Sequence, residues 1–154
     1  MMLLAGVLAS SFCAFPAGAQ SDAPAAKTTP SRYQPNRFSK RASEYYGLLW
    51  GIDSLVVKTG ESGEIVRFTY RVLDAEKAKS LNEKKNESFL IDPQAGVKLV
   101  VPELPFVGLL RQSGTSEVGK SYWIAFSNKG RFVKHGDRVQ VEIGKFRADG
   151  LVVE

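Results

Sequence analysis

The sequence is poor in the residues that build disulfide bonds and metal centres. Its 154 residues include one cysteine, Cys13, and one histidine, His135. Cys13 lies in the apolar amino-terminal segment, so the rest of the chain can form no disulfide and must be held together by core packing. A catalytic zinc site takes three protein ligands, usually dominated by His or Cys. We therefore expect no metal site, no haem and no other cofactor.

The signatures of common enzymes are also missing. The chain has no Gly-x-Ser-x-Gly elbow, no Ser-x-x-Lys pair, no glycine-rich phosphate loop and no Asp-x-Asp-x-Asp calcium loop. The paired carboxylates of a glycoside hydrolase could come from Asp53, Asp92, Glu103 or Asp149, but each of these acids adjoins Gly, Ser or Pro. Acids in such places commonly accept hydrogen bonds from backbone amides in turns. We expect a protein that is not an enzyme, and a carboxylate-dependent hydrolase is the least favoured alternative.

The first 19 residues have the pattern of a signal peptide. Residues 1–19 carry no charged side chain, and their apolar run ends at Pro16. This run is shorter than the roughly 20 residues that a bilayer-spanning helix needs. Residues 17–19 are Ala-Gly-Ala, small residues that a signal peptidase accepts, so we predict cleavage after Ala19. The mature protein is then periplasmic or secreted and has no membrane span; a retained anchor is the alternative.

A linker follows the signal segment. Residues 20–38 are rich in Pro, Ala, Ser and Thr and show neither a helical nor a strand period, so we predict a tether to one domain at residues 39–154. The net charge of +5 and the isoelectric point of about 9.4 favour acidic surfaces such as lipid headgroups, polysaccharides or nucleic acid. In an exported protein we expect no nucleic-acid partner.

The domain consists of short apolar runs separated by turn residues, which is typical of β-strands. In the clearest run, Glu64 to Leu73, apolar and polar residues alternate with the period of two of a half-buried strand. The phase shifts between Ile52 and Leu55, as at a β-bulge, and Asp74 is a plausible N-cap for a helix or polar excursion within residues 74–87. The predicted strands are Tyr46–Lys58, Glu64–Leu73, Phe89–Ile91, Val97–Val101, Phe106–Gln112, Tyr122–Phe126, Arg138–Ile143 and Phe146–Val153, the last interrupted at Asp149-Gly150.

Seven or eight short strands with at most one short helix predict an all-β fold. The favoured architecture is an antiparallel β-sandwich of immunoglobulin-like layout, and a small closed barrel is the alternative. Four segments, at residues 50–55, 121–123, 128–130 and 136–139 (WGIDSL, SYW, NKG and GDRV), resemble those of small exported bacterial proteins with no assigned activity. This resemblance covers about residues 45–154, implies export and a β-sandwich, and identifies no functional family.

Residues 128–138 form the one stretch whose composition suggests a ligand. This loop places five basic side chains around one aromatic ring: Lys129, Arg131, Lys134, His135 and Arg138 around Phe132. Such a loop could bind a phosphate, or a sulfated or uronic sugar, by charge-assisted hydrogen bonds and stacking. The alternative is a solvated hairpin connection with Phe132 or Val133 tucked under the sheet edge. Trp50 and Trp123 are open to the same two interpretations, as sugar platforms or as core residues.

These observations favour an exported, non-catalytic envelope protein that acts as a binding or structural accessory module. Its expected partner is an envelope protein or an anionic polymer. The alternative function is a binding domain for anionic glycans or lipid headgroups that uses the basic loop 128–138.

Overall fold

The computed structural model describes residues 40–154, so the predicted signal segment and linker lie outside the described residues. Two short helices, α1 (Lys40–Trp50) and α2 (Ala75–Asn82), accompany nine strands in this part of the chain. The strands are β1 (Ile52–Gly60), β2 (Ile65–Val72), β3 (Ser88–Asp92), β4 (Val97–Val100), β5 (Glu103–Leu104), β6 (Gly108–Leu109), β7 (Ser121–Ser127), β8 (Arg138–Ile143) and β9 (Phe146–Val152). Neither described helix is long and apolar enough to cross a membrane.

The strands form antiparallel sheets, which confirms the prediction of a mostly β protein. One sheet has the order β1-β2-β7, a second has the order β4-β3-β8-β9, and β5 and β6 form a separate two-stranded ribbon. The two larger sheets meet where Val57 and Val153 form an isolated parallel bridge. There the amide of Glu154 donates to the carbonyl of Val57 (2.8 Å).

Strand periodicity explains which side chains reach the core. In β2 the apolar positions 66, 68, 70 and 72 are buried, while Arg67 and Arg71 between them are exposed, as the alternation of a pleated strand requires. One buried cluster draws side chains from both larger sheets. Phe146 lies within it, edge-on to Trp50 at 5.4 Å and 6.4 Å from Phe68 between ring centroids.

Helix α1 overturns the prediction that Tyr46–Lys58 is one strand and that the domain has at most one helix. Ala42, Tyr46 and Trp50, four residues apart, pack on the core, and this spacing is that of one helix face. Gly51 ends the helix with φ +61°, a conformation that glycine adopts without strain. A Cβ at this position would lie 2.7 Å from Cβ of Asp74. The strand therefore begins only at Ile52.

The predicted β-bulge and N-cap are confirmed, whereas two predicted strands differ from the structure. The β-bulge is confirmed by a register shift between Asp53 and Val56, and Asp74 is the N-cap of α2, accepting from the amides of Glu76 (3.0 Å) and Lys77 (3.3 Å). The strand Phe106–Gln112 is only partly right, since Gly108–Leu109 pairs within the ribbon and Arg111 forms an isolated antiparallel bridge to Ile124 of β7, with no continuous strand between them. The interruption of the last strand at residues 149–150 is a register shift rather than a break: β9 runs through both residues, but its pairing with β8 jumps from Val141–Ala148 to Val139–Leu151.

Candidate binding surfaces

The basic loop connects β7 to β8, and the structure exposes all six side chains that the sequence singled out. These are Lys129, Arg131, Phe132, Lys134, His135 and Arg138. The side chain of Phe132 is 56% exposed, whereas Val133 is buried. Of the two residues that could have tucked under the sheet, Val133 does so and Phe132 stays outside.

Asn128 holds the base of this loop. Its side chain is fully buried; Nδ2 donates to the carbonyls of Gly63 and Val133 (both 2.8 Å), and Oδ1 accepts from the amide of Val133 (3.2 Å). A buried amide with three bonds fixes the backbone around it. Sequence reasoning missed Asn128, although asparagine before Lys-Gly is a recognisable turn signal.

Acidic residues neutralise part of the loop's charge. Arg131 has φ +54°, and its Nη2 lies 3.2 Å from Oε1 of Glu64. The carboxylate of Asp137 accepts from the backbone amide of Lys134 at 2.7 Å. The loop is therefore a fixed connection with an exposed cationic outer side and two neighbouring carboxylates.

The two tryptophans have different surroundings. Trp50 is half-buried and packs against the core. Trp123 is half-buried on β7, where it lies opposite Thr69 of β2 and carries the guanidinium of Arg67 at 4.7 Å from its ring centroid. Trp50 is thus a core contact, and the ring of Trp123 is partly covered by a cation.

The ribbon β5–β6 is a hairpin whose apolar residues point outward. The amide of Val107 donates to the carbonyl of Leu104 (3.3 Å), closing a turn with Pro105 and Phe106 at its centre. Phe106 has φ +69°, the value of the third residue of a type II turn, where glycine is preferred. We call residues 103–109 the apolar hairpin.

This hairpin carries the most exposed of the large apolar side chains among the described residues. Phe106 is fully exposed and Val107 is 71% exposed, while Leu104 and Leu109 are each 42% exposed. Soluble proteins rarely leave several large apolar groups together in water without a binding role. The sequence contains a signal for this turn, the apolar segment Leu-Pro-Phe-Val-Gly at residues 104–108. Its last three residues also fit the predicted strand Phe106–Gln112.

A half-open cavity of about 200 Å³ lies at the base of the apolar hairpin. Its apolar lining includes Phe89, Val100, Val101 and Leu109. Its polar lining comes from Arg111, Ser88 and residues 84–87, which include two lysines, Lys84 and Lys85, and one carboxylate, Glu87.

Arg111 is the buried cation of this cavity and was not predicted from the sequence. Its Nη1 donates to the carbonyl of Asn86 (2.9 Å) and to Oγ of Ser88 (3.0 Å), and its Nη2 donates to the carbonyl of Leu81. Burial lowers the pKa of the guanidinium, and only Tyr70 nearby opposes this effect. Nε of Arg111 is buried without a hydrogen-bond partner among the described residues.

The four acids considered for hydrolysis lie on separate elements. Asp53 of β1 accepts two hydrogen bonds from Arg71, at 2.8 and 2.5 Å, and these bonds lower the pKa of its carboxyl. Asp92 at the end of β3 is buried and accepts from the amides of Gln94 and Ala95. Glu103 lies in the apolar hairpin, and Asp149 pairs with Arg147 at 3.0 Å. Three of the four are thus engaged in turns or ion pairs.

Within residues 40–154, no three His, Cys, Asp or Glu side chains come together as metal ligands would. Comparison of the chain with protein-family models, with curated proteins and with solved structures gave no match.

Proposed function

We propose that the protein is an exported, non-catalytic binding module of the cell envelope, and that it attaches to anionic membrane surfaces through the apolar hairpin. The observation that carries this proposal is the complete exposure of Phe106 beside the exposed Val107. The engagement of Asp53, Asp92 and Asp149 in ion pairs and turns supports a role other than hydrolysis.

The strand order supports an immunoglobulin-like sandwich as the scaffold of this module. The sheet β4-β3-β8-β9 has the order of C′, C, F and G, and β1-β2-β7 has the order of A, B and E in such folds. A single buried cluster contains side chains of both sheets. In this layout the apolar hairpin is an insertion between C′ and E, outside the core.

The conformation of Phe106 supports a binding role for the hairpin. A non-glycine residue in the left-handed region costs about 1–2 kcal/mol, and an exposed aromatic ring gains nothing from the core. The chain thus holds a large apolar group at a turn position where glycine would be more stable. Backbone strain of this kind clusters at sites of function.

The size of the hairpin favours a membrane over a protein partner. Phe106 can bury about 150–250 Å², and the three smaller side chains bury less, two of them being more than half covered already. The total stays below the roughly 800 Å² that each side of a stable protein interface buries. Insertion into the headgroup region of a membrane needs no complementary protein surface. Burying Phe106 and Val107 there contributes about 3–6 kcal/mol before opposing costs are counted.

Charge supports an anionic membrane in particular. The net charge of +5 lies entirely outside residues 1–19. Lys84, Lys85 and Glu87 line the cavity together with Leu109 of the hairpin, and Lys85 is paired with Glu83. A basic side chain close to an anionic leaflet contributes about 1 kcal/mol. Attraction between the net positive charge of the chain and the leaflet therefore adds to the apolar insertion of the hairpin.

Vesicle cosedimentation of the exported protein tests this proposal. We expect binding to vesicles of phosphatidylglycerol and phosphatidylethanolamine, and weaker binding to phosphatidylcholine alone. The double variant Phe106→Ser, Val107→Ser should bind at least tenfold more weakly. Val118→Ser is the matched control, since Val118 is 66% exposed elsewhere, and it should bind like the unaltered protein. Equal binding by all three proteins, or no binding to any vesicle, would overturn the proposal.

The exposure of the six loop residues favours a second candidate function, binding of an anionic glycan through the basic loop. Here we expect retention on polygalacturonate that is lost in the triple variant Lys129→Ala, Arg131→Ala, Lys134→Ala. A control with the same charge loss, Arg41→Ala, Lys79→Ala, Lys145→Ala, separates the loop from net charge. If both triple variants lose retention equally, the loop is not the site.

A further inference from the structure

The cavity at the base of the apolar hairpin combines apolar walls with one buried cation. Phe89, Val100 and Leu109 supply apolar lining, and Arg111, which is 8% exposed, supplies the charge. Ligand sites in proteins share this plan of an apolar lining with a few convergent polar groups.

The guanidinium of Arg111 lacks a counter-charge. The three bonds that it donates go to two backbone carbonyls and one hydroxyl, all of them neutral. Within residues 40–154 no carboxylate forms an ion pair with it, and its Nε has no partner. A buried cation without an anion is unfavourable, and a guanidinium pairs best with a carboxylate, which can take two of its N–H groups.

We propose that this cavity binds a small organic anion, a carboxylate attached to one aromatic ring or to a short alkyl chain. The carboxylate would pair with Arg111, and the apolar part would contact Phe89, Val100 and Leu109. Lys84, Lys85 and Glu87 also line the cavity. Lys85 pairs with Glu83 at 3.2 Å, so Lys84 is the lining lysine without a carboxylate partner among the described residues, and it attracts anions. This inference is independent of membrane binding.

The volume of the cavity limits the ligand. A dry cavity of about 150 Å³ holds benzene, so the roughly 200 Å³ present here accommodates a ring with a carboxylate or an alkyl acid of similar size. A disaccharide or a nucleotide is too large to be enclosed in it. The ligand class is thus a monoanion with a single compact apolar group.

Calorimetric titration of the full chain with sodium benzoate, and separately with benzyl alcohol, tests the inference. Benzoate should bind at least tenfold more tightly than the neutral alcohol, which has nearly the same shape, and hexanoate should also bind. Chemical shifts of Ser88, Phe89 and Arg111 should move with the same dissociation constant. Equal affinity for benzoate and benzyl alcohol would overturn the proposal.

Two variants separate the cavity from other anion contacts. Arg111→Met removes the charge and should abolish benzoate binding. Because Arg111 also holds the carbonyls of Leu81 and Asn86, Val100→Trp provides a second test: Val100 is 51% exposed, and a larger side chain there fills the cavity from outside while Arg111 keeps its charge.

The matched control for the filled cavity is Val118→Trp, which adds the same ring at an exposed turn. Benzoate affinity should fall at least tenfold in Val100→Trp and stay unchanged in Val118→Trp. Persistence of benzoate binding in a folded Val100→Trp protein would overturn the proposal whatever Arg111→Met does. Vesicle binding by the same proteins is measured separately, so failure of one proposal does not decide the other.

Discussion

Two phenylalanines show how differently this chain uses the same side chain. Phe146 at the start of β9 is 1% exposed, and the centroids of three aromatic rings lie within 6.4 Å of its own. Phe106 in the apolar hairpin is fully exposed. The first lies in the shared core, and the second occupies a strained turn position outside it. Stability accounts for the first placement and not for the second. The comparison implies that the two regions respond to substitution in opposite ways.

Phe146→Ala should have the largest effect on stability. Removing a fully buried ring costs about 3–5 kcal/mol through lost burial and the cavity left behind. Urea unfolding followed by tryptophan fluorescence measures this loss, and Trp50, 5.4 Å from Phe146, reports it directly. Protein that remains folded should bind vesicles as before, since the hairpin is unaltered. A cost below 1 kcal/mol would contradict the position of Phe146 in the core.

Tyr70→Phe should cause the second largest loss of stability, because it breaks a series of buried hydrogen bonds within the core. Oη of Tyr70 donates to Oδ1 of Asn82 (2.5 Å), and Nδ2 of Asn82 donates to Oγ of Ser116 (2.8 Å). Burial raises the pKa of the Tyr70 hydroxyl, which therefore stays a donor. Leaving the Asn82 oxygen without a donor costs about 1–3 kcal/mol.

Tyr122→Phe is the matched control for this prediction. Tyr122 is only half-buried, and its hydroxyl accepts from the amide of Glu117 (3.0 Å) and donates to the carbonyl of Thr115 (2.9 Å) in the exposed segment before β7. Water can replace the lost hydroxyl there, so the free energy of unfolding should fall by less than about 1 kcal/mol. Equal losses in the two variants would show that burial does not set the cost.

The regular part of the core was predictable from the sequence because alternation of period two is a local signal. Strands β2 and β8 lie close to their predicted bounds, and their apolar positions are the buried ones. Helix α1 was missed because its core contacts, Ala42, Tyr46 and Trp50, precede a glycine that ends the helix within a continuous apolar run. An apolar run of this length cannot be assigned to helix or strand by hydrophobicity alone.

The candidate sites were less predictable because they depend on contacts between distant segments. The basic loop was found from composition, since its residues are contiguous. Arg111 becomes a buried cation only because Leu81, Asn86 and Ser88 meet it across more than 20 residues of sequence. The outward direction of Phe106 depends on the turn that includes Pro105. The sequence pattern instead predicts Phe106 as the first residue of a strand.

Phe106→Gly should separate stability from binding. Glycine relieves the left-handed strain of about 1–2 kcal/mol and loses about 0.5–1 kcal/mol through its greater freedom in the unfolded chain. The free energy of unfolding should therefore stay equal or rise by up to about 1.5 kcal/mol. The same variant should lose vesicle binding, opposite in pattern to Phe146→Ala. A clear loss of stability would contradict the claim that Phe106 serves no core contact.

Asp53→Asn should have a small effect on stability, and the pH dependence of this effect should show that it comes from the charge of the carboxylate. Arg71 lowers the pKa of the Asp53 carboxyl in the folded protein, so the unfolded chain binds the proton more tightly. The ion pair therefore contributes stability above the unfolded pKa of about 3.9, and this contribution disappears as the pH falls through the lower, folded pKa. Because Arg71 is 48% exposed, we expect a cost of only about 0.5–1 kcal/mol at pH 7.

Unfolding of the Asp53→Asn variant and the unaltered protein should be compared at pH 7 and pH 2. The difference should be present at pH 7 and should shrink as the pH is lowered to 2, because protonation of folded Asp53 removes the ion pair. Asp149→Asn is the exposed counterpart, since both Asp149 and Arg147 are about 60% exposed, and it should cost less at pH 7. If Asp53→Asn costs as much at pH 2 as at pH 7, packing of the side chain rather than its charge stabilises this edge of the sheet. Neither substitution alters the core around Phe146 or the apolar hairpin, so benzoate and vesicle binding should remain unchanged in both variants.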